Sequence, residues 1–93
     1  MKYEIVRTRR FKTAFKRVQK LPGFKQAVFF AVVERLSNGN KLEKRFKDHK
    51  LTGNLKSFRE CHIAPDILLM YQVDGGLLIL TLVNIGNHSQ LFK

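Results

Sequence analysis

Apolar residues at Phe11, Phe15, Val18 and Leu21 recur every three or four positions, with lysines and arginines between them. That spacing keeps one face of a 3.6-residue turn apolar and predicts an amphipathic, basic helix from about Thr8. Leu21-Pro22-Gly23 stops it, because proline lacks a backbone donor and glycine is a poor helix former. A second helix is predicted next, with Phe24, Val28, Ala31, Val32 and Leu36 on one face. Phe29 and Phe30 widen that face, so this helix is expected to be the more buried of the two, and Ser37-Asn38-Gly39-Asn40 ends it. Ahead of both, Tyr3, Ile5 and Val6 predict a short first strand.

Past residue 40 the period changes. KLEKRFKDHKLTG, residues 41–53, follows neither the helical nor the strand repeat and reads as an irregular basic loop, long enough to suggest a functional role. Three strand-length runs follow: Leu55 to Ile63, Ile67 to Val73 and Leu77 to Ile85. Asp74-Gly75-Gly76 predicts a hairpin between the last two. LLILTLV is apolar at both parities, which suits a strand covered on both faces or central in its sheet. The closing GNHSQLFK is read as a helical turn. The order strand-helix-helix-strand-strand-strand predicts a single α+β domain over residues 1–93, an antiparallel sheet with two helices packed on one face.

Charge adds a direction to this picture. The chain has 18 Lys and Arg against 7 Asp and Glu, a formal net charge of +11. Residues 1–50 hold fifteen basic and four acidic residues, whereas residues 51–93 hold three of each. All the net charge lies in one half, which points to a polyanionic partner such as nucleic acid or an acidic protein. The one cysteine, Cys61, cannot form an intrachain disulfide, which fits a reducing compartment, and its strand setting suggests a buried small hydrophobe. MKYEIVRTRR lacks a signal-peptide core, and AVFFAVV is far short of the roughly 18 apolar residues of a membrane span. The expectation is a soluble cytoplasmic protein.

The candidate chemistry centres on RECHIAPD, residues 59–66, where four ionisable side chains precede the uncharged run ILLMY. His49, His62 and His88 all fall at strand ends or in loops, with Asp48 and Asp66 nearby. Their spacings match no structural zinc pattern, no metal or cofactor is expected, and neither Ser57 nor Ser89 sits in a nucleophile elbow. Acid–base cleavage of RNA fits better. RNA carries its own nucleophile, the 2′-hydroxyl, so the protein need only take one proton, give another and neutralise the phosphate. Histidine and a carboxylate suit the proton steps near neutral pH. Lys47, Lys50, Lys56 and Arg59 are the candidate cations for the phosphate. Histidines in small domains also serve as plain hydrogen-bonding residues, and composition alone leaves both readings open.

Four motifs in order, DHxLxG at 48–53, FRECHIxPD at 58–66, LLxY at 68–71 and GxHxxLF at 86–92, resemble the YafQ branch of the RelE/ParE toxin superfamily over about half of the chain. The resemblance implies a microbial RNase fold of RelE type and an endoribonuclease toxin that cleaves mRNA in the A site of the small ribosomal subunit, held in check by an acidic antitoxin. Carried over position by position, it implies a site of His49, His62, Asp66, His88 and Phe92. His88 and Asp66 would lie nearest the proton transfers, His49 and His62 would position or neutralise the phosphate, and Phe92 would stack on a base.

Two positions depart from the pattern. Asn84 stands where an arginine often precedes the terminal motif, and Ile67 where an aromatic often follows Pro-Asp. The first would shift phosphate neutralisation to Arg59 or the loop lysines, and the second would alter codon preference. A non-catalytic toxin of the ParE kind, or a basic RNA- or ribosome-binding module, is the alternative reading.

Overall fold

Alternation and periodicity translate into a sheet with its two long helices on one side. The computed structural model describes residues 2–92. In chain order the elements are β1 (Glu4–Arg7), α1 (Arg9–Val18), α2 (Gln26–Ser37), β2 (His49–Lys50), β3 (Arg59–Ala64), β4 (Ile67–Asp74), β5 (Ile79–Gly86) and α3 (His88–Leu91). The described strands form one sheet in the order β1-β5-β4-β3-β2. The α+β class, the element order and the paired helices agree with expectation. The sheet is antiparallel except at one edge, where β1 runs parallel to β5, with Glu4 opposite Ile79 and Arg7 opposite Leu82. Both helices carry the chain from β1 at one edge to β2 at the other, and β3, β4 and β5 then return to β1.

Thr8 starts α1, its hydroxyl accepting from the Phe11 amide at 3.0 Å and donating to the Val83 carbonyl of β5 at 2.6 Å. Phe11, Ala14 and Val18 are buried, with Phe15 half-buried beside them, while the intervening lysines and arginines face solvent. The buried face of α2 differs from the predicted one: it is Phe29, Val32, Val33 and Leu36, whereas Phe30 is 55% exposed and Ala31 is exposed. The helix begins at Gln26, which leaves Phe24 in the preceding loop and rotates the core side toward Phe29. Phe29 then packs on Phe15 at 4.9 Å and on Phe24 at 5.9 Å between ring centres, tying both helices into one aromatic layer.

Residues 41–53 are more ordered than an irregular loop. Lys44–Phe46 make a single 3-10 turn that buries Phe46, Lys47 takes a left-handed conformation, and β2 then pairs with β3. The strand expected from Leu55 starts instead at Arg59, because Gly53–Leu55 form a second 3-10 turn. Along β5, Leu80 and Leu82 face the helices, and so does Ile85, because the pairing shifts between Met70 and Tyr71. β5 lies inside the sheet, between β1 and β4, and the second parity of the run is less covered, with Ile79 and Val83 half-buried and Leu77 exposed. Lys93, the last residue of the predicted helical turn, lies outside the described residues. No helix among the described residues is long and apolar enough to cross a membrane.

Candidate active site

Strand alternation decides which side chains can meet. On β3, Arg59, Cys61 and Ile63 share one parity, and Glu60 and His62 the other. Cys61 and Ile63 belong to the helix-side core with Leu69 and Tyr71, so Glu60 and His62 face the opposite side. Cross-strand register extends this face into two rows. One runs from His49 through Glu60 and Met70 to Asn84, and the other from His62 through Leu68 to Gly86. Leu68 and Met70, with Leu91 of α3, form the apolar floor. Pro65 and Asp66 turn the chain between β3 and β4 at the end of this floor.

Two hollows open on this face. One, of about 440 Å³, is lined by Glu60, His62, Asp66 and His88; the other, of about 330 Å³, by His49, Glu60, His88 and Phe92. They share Glu60 and His88, so His49, His62, Asp66, His88 and Phe92 all border one trough. Among the described residues, no group of three or more His, Cys, Asp and Glu is placed to hold a metal ion.

Glu60 is the member that sequence patterning overlooks, although its parity with His62 was the available signal. It is only 5% exposed, and its Oε1 lies 3.3 Å from Nε2 of His49. Its Oε2 is buried with no hydrogen-bond partner. On the other side of the imidazole, Nδ1 of His49 is 2.7 Å from the Lys47 carbonyl, which can only accept. The carboxylate on one side and the carbonyl on the other set this ring at the edge of the trough.

His88 opens α3, and its ring lies 4.8 Å from that of Phe92 at a 44° tilt. A reciprocal cap holds this short helix: the Asn87 amide donates to Gln90 Oε1 at 2.9 Å, and the Gln90 amide donates to Asn87 Oδ1 at 2.9 Å. Gly86 leaves room for it, since a Cβ there would come within 2.5 Å of Gln90 Oε1. Gly86→Ala is therefore expected to break the cap, lower the unfolding free energy by about 1 kcal/mol and move the His88 ring signals. A denaturant titration with an NMR spectrum of the rings would check both, and wild-type values would contradict the role given to this glycine.

The expected phosphate cations do not gather together. Lys47 borders a third hollow with Arg45 and His62. Lys50 is exposed on β2 opposite Arg59, pointing away from the histidines, and Lys56 is exposed after the second 3-10 turn. Arg59 must be reassigned. It lies on the helix side of the sheet, with Nη2 3.2 Å from Asp48 Oδ2 and Nε 3.3 Å from the Tyr71 hydroxyl. It cannot take over from the cation absent at position 84, because strand parity turns it away from the trough. Asn84 itself is buried, its Oδ1 accepting from the Ile85 amide at 2.9 Å. Cys61 is fully buried, and burial, then the charges of Asp48 and Glu60, push its thiol far above the usual range, which removes it as a nucleophile.

Comparison with known proteins bears on the family and the fold. Residues 3–93 match the family described as "Bacterial toxin of type II toxin-antitoxin system, YafQ". Over 47 residues the chain is 38% identical to the mRNA interferase toxin YafQ of Escherichia coli K12, a stretch covering 50% of this chain and 49% of that protein. The aligned stretch thus spans about half the length of the curated relatives it matches. The metal-bound toxin from Helicobacter pylori superimposes with a TM-score of 0.87 at 40% identity, over 97% of this chain and 99% of that one. YafQ in the E. coli DinJ-YafQ toxin-antitoxin complex superimposes with a TM-score of 0.86 at 26% identity, over 100% of both chains. The chain belongs to the YafQ family of bacterial toxins of type II toxin-antitoxin systems.

Proposed function

We propose that the chain is an mRNA interferase, an endoribonuclease that cuts mRNA in the ribosomal A site in the cytoplasm and is neutralised by an acidic antitoxin. The observation that carries this reading is the convergence of His49, His62, Asp66, His88 and Phe92 on one trough with a rigid apolar floor. RNA bound there presents a 2′-hydroxyl to a proton acceptor, and the oxygen attacks the adjacent phosphorus. The 5′-oxygen leaves with a proton, giving a 2′,3′-cyclic phosphate and a free 5′-hydroxyl. Asp66 and His88, which both line the first hollow, exchange these protons. His49, 3.3 Å from Glu60, and His62 position the phosphate or neutralise the charge that develops on the phosphorane. Phe92 stacks on an adjacent base.

The basic residues of α1 face outward on the helix layer, opposite the trough. That distribution suits a partner large enough to contact several faces at once, as a ribosome is. An acidic, partly disordered antitoxin segment suits the same surface. Ribosome binding is expected to weaken by about 10³-fold or more between roughly 50 and 200 mM salt; affinity independent of salt would argue against phosphate recognition. Purified protein added to ribosomes halted on a defined mRNA should give a new 5′ end within the A-site codon by primer extension. Intact mRNA under conditions where the protein still blocks translation would replace this reading with a non-catalytic one.

A further inference from the structure

Asp48 and His49 are neighbours in sequence but face opposite sides of the sheet. His49 reaches Glu60 in the trough, whereas Asp48 reaches Arg59 and Tyr71 on the helix side. The Tyr71 hydroxyl donates to Asp48 Oδ1, and Arg59 donates from Nη2 to Oδ2 at 3.2 Å and from Nε to Oδ1 at 3.4 Å. Tyr71 is 1% exposed and cannot shift without disturbing the core of β4. The element these bonds hold is otherwise weakly fixed. β2 is two residues long, it lies at the sheet edge, and it follows a left-handed residue, Lys47, whose carbonyl is itself a partner of the His49 ring.

We infer that Asp48, Arg59 and Tyr71 form a positioning network that fixes His49 in the trough through the backbone of β2, from the covered side of the sheet. None of the three touches RNA. Asp48 is the clamp, Tyr71 the fixed anchor and Arg59 the counter-charge that keeps a half-buried carboxylate in place. Burial and the bond to Asp48 push the Tyr71 phenol above its ordinary range, so it remains a donor across the working pH range. Its own hydrogen bonds to Asp48 raise the Arg59 guanidinium above its ordinary value. This assigns a use to the DH pair of the DHxLxG motif: one residue faces the chemistry and the other secures it.

The catalytic half of the inference rests on the proposed cleavage reaction, and the geometric half does not. The test therefore has two arms, applied to Tyr71→Phe and Asp48→Ala. Ring ¹H–¹⁵N spectra should show the His49 signals displaced in both variants, while those of His62 and His88 stay in place. Single-codon cleavage on ribosomes should show kcat lowered by about tenfold to a hundredfold with KM little changed. His49 signals at their wild-type positions in both variants would overturn the inference, whatever happens to the melting temperature, since that is what a purely structural network gives. If wild-type protein leaves mRNA uncut, the cleavage reading fails alone and the spectra still decide the positioning. Asp48→Ala, at a partly exposed site, carries the test should Tyr71→Phe fail to fold.

Discussion

His88→Ala is expected to lower cleavage of ribosome-bound mRNA by about 10²–10⁴-fold while leaving the melting temperature within error of wild type. The imidazole lines both hollows, the place given above to one of the two proton transfers. A positioned proton donor or acceptor contributes about 10²–10⁴ in rate. The residue is exposed and its main aromatic contact is Phe92, so its removal costs little stability. Surface changes of this kind shift unfolding free energy by about 0.5 kcal/mol or less. The loss should fall on kcat, with ribosome affinity unchanged, because binding is carried by the basic surface. Single-turnover kinetics with the variant and a thermal melt are the measurement; a wild-type rate would remove His88 from the machinery.

Glu60→Gln should separate function from stability in the opposite sense. The carboxylate is buried, one oxygen faces His49 at 3.3 Å, and the other has no partner. An incompletely satisfied buried charge costs folding free energy. A glutamine of the same shape removes that charge, so stability should hold or rise. The His49 ring, half-exposed, loses the carboxylate that lies 3.3 Å from its Nε2. Hydrogen bonds to charged groups contribute about 1.5–3 kcal/mol. If they act in the transition state, the rate falls by about tenfold to a hundredfold. A variant that is both more stable and slower would identify Glu60 as strain kept for the reaction. Unchanged cleavage with unchanged His49 signals would mean that the pair is incidental.

Much of this site was legible in the chain, for identifiable reasons. His49 begins β2, His88 follows the end of β5 and His62 lies within β3, and strand alternation with cross-strand register brings them to one face. The apolar run after Asp66 marked the floor. Elsewhere local patterning ran out. The face chosen by Arg59 follows from its parity with Cys61 and Ile63, yet its use depends on Asp48 and Tyr71, which lie 11 and 12 residues away. β2 is two residues long, below what periodicity can detect, and exists because Glu60 and Arg59 offer a sheet edge. The parallel pairing of β1 with β5 joins residues more than seventy positions apart and carries no local mark. Glu60 reads as an ordinary strand-edge acid until register places His49 opposite it.

The central claim is that RNA's own 2′-hydroxyl is the nucleophile in a trough of histidines and carboxylates. It is tested most directly by an mRNA carrying one 2′-deoxynucleotide immediately 5′ of the scissile phosphate, placed in the A site of a halted ribosome. This mRNA is expected to stay intact while the all-ribose control is cut to a 2′,3′-cyclic phosphate and a 5′-hydroxyl. Cleavage of the deoxy-substituted mRNA at the same position and rate would contradict it.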